Sequence, residues 1–137
     1  MIDKQTEKKA VLSIDYDGTC TQYSGWKGAL VLPDPPVPGL FEFLEVAVEE
    51  FEVHIFSARS HENGAVEAMR NWFFKHEIEW RWPSPEDGCL GIAITAKLRF
   101  PNYKPPAFLS IDDRGWNFSG TWPTIEAMKA FKTWQGK

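Results

Sequence analysis

The chain has only two cysteines, Cys20 and Cys89. They are too few for a disulfide framework, and without a His-rich partner motif they do not make a zinc site, so both are expected to be reduced and structural. Long apolar runs are also missing: none approaches the roughly 20 residues needed to cross a bilayer. Nor do the opening residues, Met1 to Lys9, carry the apolar stretch of a secretory leader. These absences predict a cytoplasmic protein with no membrane partner. A basic surplus is lacking too, with 15 Lys and Arg against 19 Asp and Glu and a net charge of −4. Phosphate backbones are gripped mainly by Lys and Arg, so nucleic acid is not the favoured partner. The three histidines, His54, His61 and His76, have no motif around them.

What is present is an ordinary globular composition, 43% apolar and 25% charged over 137 residues. That length predicts one domain, 1–137, around a single core. Aromatic residues are abundant, with 7 Trp, 10 Phe and 3 Tyr. Most must be core, and a few Trp in loops remain available to stack on a substrate.

The chain is organised around Val11 to Thr19, where an apolar run stops abruptly in Asp15-Tyr16-Asp17-Gly18-Thr19. Such a run suits a strand buried on both faces, and Gly18 lets the backbone turn once the carboxylates are placed. Taken alone, the segment also reads as a common turn. A second element of the same design, Phe108 to Arg114, ends in Asp112 and Asp113. If the two strands are parallel neighbours, Asp15, Asp17, Asp112 and Asp113 converge at the carboxyl edge of one sheet, where open α/β sheets bind ligands. Crowded carboxylates repel unless a cation lies between them, which points to a hard, oxygen-seeking ion such as Mg²⁺.

Residues 20–38 read as a loop or flap beside Asp17, broken by Pro33, Pro35, Pro36 and Pro38 and carrying Trp26, which either packs under its own loop or contacts substrate. From Gly39 to Phe51 the apolar spacing is helical, with Leu40, Phe43, Leu44, Ala47, Val48 and Phe51 inward and the glutamates on a solvated face. A strand, Glu52 to Phe56, leads into Ser57-Ala58-Arg59-Ser60. A helix starting just after Ser57 and running to about His76 would offer its N-terminal amides to a phosphate. Ile78 to Trp82 and Leu90 to Thr95 read as strands, Pro101 to Pro106 as a loop, and Pro123 to Gln135 as a helix closing the sheet. The alternation predicts an α/β fold: a three-layer α/β/α sandwich with a mainly parallel, Rossmann-like sheet.

Four elements in this order resemble the haloacid dehalogenase-like (HAD) superfamily: Asp-x-Asp-Gly-Thr at Asp15 to Thr19, a strand-terminal Ser57, a lysine ahead of the final motif, and Asp-Asp at Asp112 and Asp113. The local wording is similar to the small capless hydrolases of that superfamily. The resemblance implies a Mg²⁺-dependent phosphomonoester hydrolase in which Asp15 is the nucleophile and forms an aspartyl-phosphate, with Asp17 as general acid and then base. It implies Mg²⁺ on Asp15, the backbone carbonyl of Asp17 and Asp112, with Asp113 a further ligand or an outer partner. Ser57, Ala58 and Lys104 would bind phosphoryl oxygens, Lys104 being preferred to the more distant Lys97. Arg59 and Arg114 would be phosphate or substrate contacts, or salt-bridge partners. The gaps between motifs leave no room for a cap domain, so the site should be open to a small phosphorylated molecule or to a phosphate exposed on a macromolecule, and a homo-oligomer would enclose it. Two alternatives stay open: a polynucleotide-end (3′-)phosphatase, and a phosphate- or metal-binding module without turnover.

Overall fold

The computed structural model describes residues 8–81 and 93–136. Along the chain lie β1 (Val11–Asp15), a tight turn (Tyr16–Cys20), α1 (Leu40–Glu50), β2 (Glu52–Phe56), α2 (Ala65–Arg81), α3 (Ala93–Lys97), β3 (Leu109–Ile111) and α4 (Ile125–Lys129). The three strands form one parallel sheet in the order β2-β1-β3. Parallel strands need crossovers, and α1 supplies the one between β1 and β2. The expected α/β class is therefore present, with the two carboxylate-bearing strands as neighbours.

Pairing register assigns the two faces of the sheet. Leu12 pairs with Val53 and Leu109, Ile14 with Ile55 and Ile111, while Ser13 pairs with His54 and Ser110. Directly paired residues share a face, so one face is apolar and the other carries Ser13, His54 and Ser110. Leu12, Ile14, Val53 and Ile55 are buried in one core with Leu44, Val48, Met69, Phe73 and Ile94. Each such side chain contributes about 1.5–3 kcal/mol on burial. The α1, α2 and α3 helices pack on one another over that core. Phe41 of α1 meets Phe73 and stacks on Trp80 of α2, with ring centroids 6.3 and 5.8 Å apart. Glu77 of α2, fully buried, accepts from the Ile94 and Thr95 backbone N–H groups of α3 at 3.0 and 2.8 Å and from the Thr95 hydroxyl.

Several expectations need correction. The helix after β2 begins at Ala65, beyond a run of turns, so its N-terminus does not follow Ser57 directly. The run Ile78 to Trp82 is not a strand: α2 continues to Arg81, because Trp80 extends the helical stripe of Met69, Trp72, Phe73 and Glu77. Trp82 lies outside the described residues, as do Leu90 to Gly91 and Ile92; Ala93 to Thr95 are helical. A short parallel bridge pairs Arg99 with His54 on the outer side of β2, and this is where the sheet continues. The C-terminal helix is limited to Ile125–Lys129, has no buried residue and does not close the sheet; Pro123 precedes its Thr124 cap. Among the described residues, α1, α2 and α3 share one core with the apolar face of the sheet.

In α1 the stripe is shifted by one contact, with Phe41 buried and Phe43 exposed. The glutamate face is not simply solvated: Glu42 accepts from Trp80 Nε1 at 2.7 Å, and Glu49 pairs with Lys97 at 2.6 Å. Among the described residues no helix is long and apolar enough to cross a membrane.

Candidate functional site

The β1 and β3 strands end side by side, and the chain turns sharply after each. The turn Tyr16–Cys20 is closed by a hydrogen bond from the Thr21 amide to the Tyr16 carbonyl, and Gly18 sits at φ +83°, a conformation L side chains rarely adopt. A Cβ on Gly18 would also run into the Asp113 carboxylate. Glycine is thus required twice over, for the turn and for the close approach of the Asp112-Asp113 strand end.

Ligand oxygens of Asp15, Asp112 and Asp113 all lie within 4.8 Å of one another. Crowding and burial push the Asp15 carboxyl up to about 8, first through loss of water and then through the charges of Asp112 and Asp113. Asp113 is likewise raised, by desolvation first and with the charge of Asp112, though its hydrogen bond with Asp15 works the other way. An all-oxygen cluster that resists ionising together fits a hard divalent cation, whose charge removes the repulsion.

The Asp17 carboxylate stands apart from these three. It is gripped by Arg59, whose Nε donates to Oδ2 at 2.9 Å and whose second guanidinium nitrogen, Nη2, donates to Oδ1 at 2.7 Å. The Ser57 hydroxyl donates to the same Oδ2 at 3.1 Å and accepts from the Arg59 amide. All four aspartates line one cavity, but only Asp15, Asp112 and Asp113 bring oxygens to ligand distance of one another, the Asp17 side chain being held by the buried guanidinium. The cost of burying Arg59, only 2% exposed, is met by this bidentate pair.

Of the two roles expected of Arg59, the structure shows the salt-bridge partner. Its remaining nitrogen, Nη1, donates to the Gly28 and Ala29 carbonyls at 3.1 Å each, inside the loop 20–38. Its plane also lies 4.6 Å from the Trp26 ring centre. The loop is otherwise pinned at its base by the Val37 amide on the Cys20 carbonyl, and from below by Trp72 Nε1 on the Asp34 carbonyl.

These elements enclose one cavity of about 390 Å³. Asp15, Asp17, Asp112 and Asp113 line it together with Ser57, Ala58, Lys104 and Arg114, and Tyr23 and Trp26 form a wall from the loop. Its floor is the polar face of the sheet at Ser13 and Ser110. Lys104 is on this cavity; Lys97 is ion-paired to Glu49 and lines a separate depression with Lys8, Lys9 and Arg99. Ala58 is exposed at the rim, while Ser57 is buried with its proton committed to Asp17.

Trp134 was overlooked by sequence reasoning, which counted it in a helical stripe. Its Nε1 donates to the Gly18 carbonyl at 2.7 Å, bracing the turn from the far side. No local pattern near Trp134 announces a partner so distant in the chain. Comparison with protein-family models, curated proteins and solved structures finds no match for this chain.

Proposed function

We propose that the protein is a Mg²⁺-dependent phosphomonoester hydrolase of the haloacid dehalogenase-like kind, acting on a small phosphorylated molecule or on a phosphate exposed on a macromolecule. The observation that carries this reading is the meeting of Asp15, Asp112 and Asp113 from two adjacent parallel strands, with ligand oxygens within 4.8 Å, at the mouth of a cavity that also holds Lys104. Asp15, Asp112 and Asp113 would hold the cation, with the Asp17 carbonyl beside them. When bound, Mg²⁺ supplies the positive charge that neutralises the phosphoryl oxygens and makes phosphorus electrophilic.

The residues then divide the work. An Asp15 oxygen attacks phosphorus as the bond to the leaving oxygen breaks, and Asp17 gives that oxygen its proton. In the second half Asp17 takes a proton from water, the water oxygen attacks phosphorus, and the Asp15 carboxylate departs with inorganic phosphate released. Lys104 lies on the cavity wall, where its charge offsets the negative charge that builds on the phosphoryl group. Ser57 orients Asp17 and, on turning its hydroxyl, donates to a phosphoryl oxygen.

A second reading, a phosphate- or metal-binding module without turnover, is favoured by one observation: Arg59 and Ser57 already occupy both oxygens of Asp17. Hydrolysis of a generic aryl phosphate separates the two. Turnover that requires Mg²⁺, stops with excess chelator and is lost in Asp15→Asn supports the hydrolase. Well-folded protein that binds Mg²⁺ but never turns over would leave the binding module.

A further inference from the structure

The Arg59 guanidinium touches both the Asp17 carboxylate and the loop facing it. Nε and Nη2 hold Asp17 while Nη1 holds the carbonyls of Gly28 and Ala29. The fork is rigid and planar, so a displacement of Asp17 on one edge is felt by the carbonyls on the other. Trp26, 56% exposed, leans on the same plane with its centre 4.6 Å from Cζ. Asp17 makes no direct hydrogen bond to residues 26–29 in this arrangement; its connection to them runs through Arg59.

We infer that Arg59 is a positioning residue that couples Asp17 to the docking of the loop 20–38, so that the Tyr23–Trp26 wall is held over the cavity only while Asp17 holds the guanidinium. The inference rests on the hydrolase reading for its catalytic consequence but not for the coupling itself. A purely structural arginine would respond to its own removal. A coupling arginine must also transmit a change made at Asp17 to the segment 26–29, and linkage makes this effect reciprocal.

The test is hydrogen exchange on the metal-free protein, read separately for residues 24–32 and for β1, in wild type, Arg59→Met, Arg59→Lys and Asp17→Asn. Asp17→Asn is nearly isosteric and keeps the fold accessible if the arginine variants fail to fold. The expected result is exchange at least tenfold faster over 24–32 in both Arg59→Met and Asp17→Asn, with β1 unchanged and Arg59→Lys in between. Loop exchange at the wild-type rate in Asp17→Asn, or acceleration spread evenly over loop and β1, would overturn the coupling. In the aryl phosphate assay Arg59→Lys should lower kcat tenfold or more with a smaller change in KM; an unchanged kcat would overturn the positioning role. If wild type shows no turnover, the hydrolase reading fails while the exchange result still decides the coupling.

Discussion

Gly18 and Asp113 approach so closely that the carboxylate occupies the space a Gly18 side chain would need. The contact joins the turn after β1 to the end of β3 and sets the spacing between Asp15 and Asp113.

Gly18→Ala should therefore act on the site more than on the fold. The new methyl must push Asp113 away and must also be carried at φ +83°. Loss of turnover by two orders of magnitude or more is expected, together with weakened Mg²⁺ binding measured by calorimetry. Wild-type affinity for Mg²⁺ in this variant would show that Asp113 is not held by the turn.

Stability without metal should fall as pH rises. The Asp15 carboxyl is raised from 3.8 to about 8, so between those values the folded state holds a proton that the unfolded chain has lost. Fewer protons in the unfolded state mean that the free energy of unfolding decreases with pH, by at most about 1.4 kcal/mol per unit for one group. Denaturant titrations from pH 4 to 8 in chelator should show that decline, and saturating Mg²⁺ should flatten or reverse it. Metal-free stability that climbs through this window would contradict the carboxylate cluster.

Lys104 and Lys97 make a contrasting pair, one on the cavity and one ion-paired to Glu49 on another surface. Lys104→Ala is expected to reduce kcat/KM on an aryl phosphate about a hundredfold, and Lys97→Ala to leave it within about twofold, exposed pairs being worth roughly 0.2–1 kcal/mol. A crippled Lys97 variant beside an active Lys104 variant would reverse the assignment.

Glu77 is a matter of fold alone. Buried completely, it receives three hydrogen bonds from Ile94 and Thr95 and so ties α3 to α2. Glu77→Ala strands those donors and should cost about 3–5 kcal/mol in chemical denaturation. Glu77→Gln, which keeps the acceptor oxygen, should cost less. Equal effects of the two would mean that the contact is not carried by hydrogen bonding.

The strand ends were legible in the sequence because the apolar run cut off by Asp-x-Asp-Gly-Thr, which alone also suits a common turn, is matched by a second run of the same design ending at Asp112 and Asp113. The α1 helix was legible through its period, apart from the exchange of Phe41 for Phe43. Failures came where a short stretch suits two periods. Ile78 to Arg81 alternates like a strand, yet Trp80 also falls on the stripe of a helix already under way, and packing on Phe41 decides the matter. The pull of Arg59 on Asp17 was not legible, since 42 positions separate them and nothing local in Ser-Ala-Arg-Ser distinguishes a clamp from a substrate contact.

The hydrogen bond from Trp134 to the Gly18 carbonyl spans 116 positions. A contact of such separation is slow to close, because the intervening chain must give up its freedom before the bond forms. During synthesis β1, α1 and β2 can find one another while the turn that follows β1 still lacks its brace. The Asp15-bearing segment would thus be built early and tightened late, and a nascent chain would carry Asp15 and Asp17 for some time before that turn is braced.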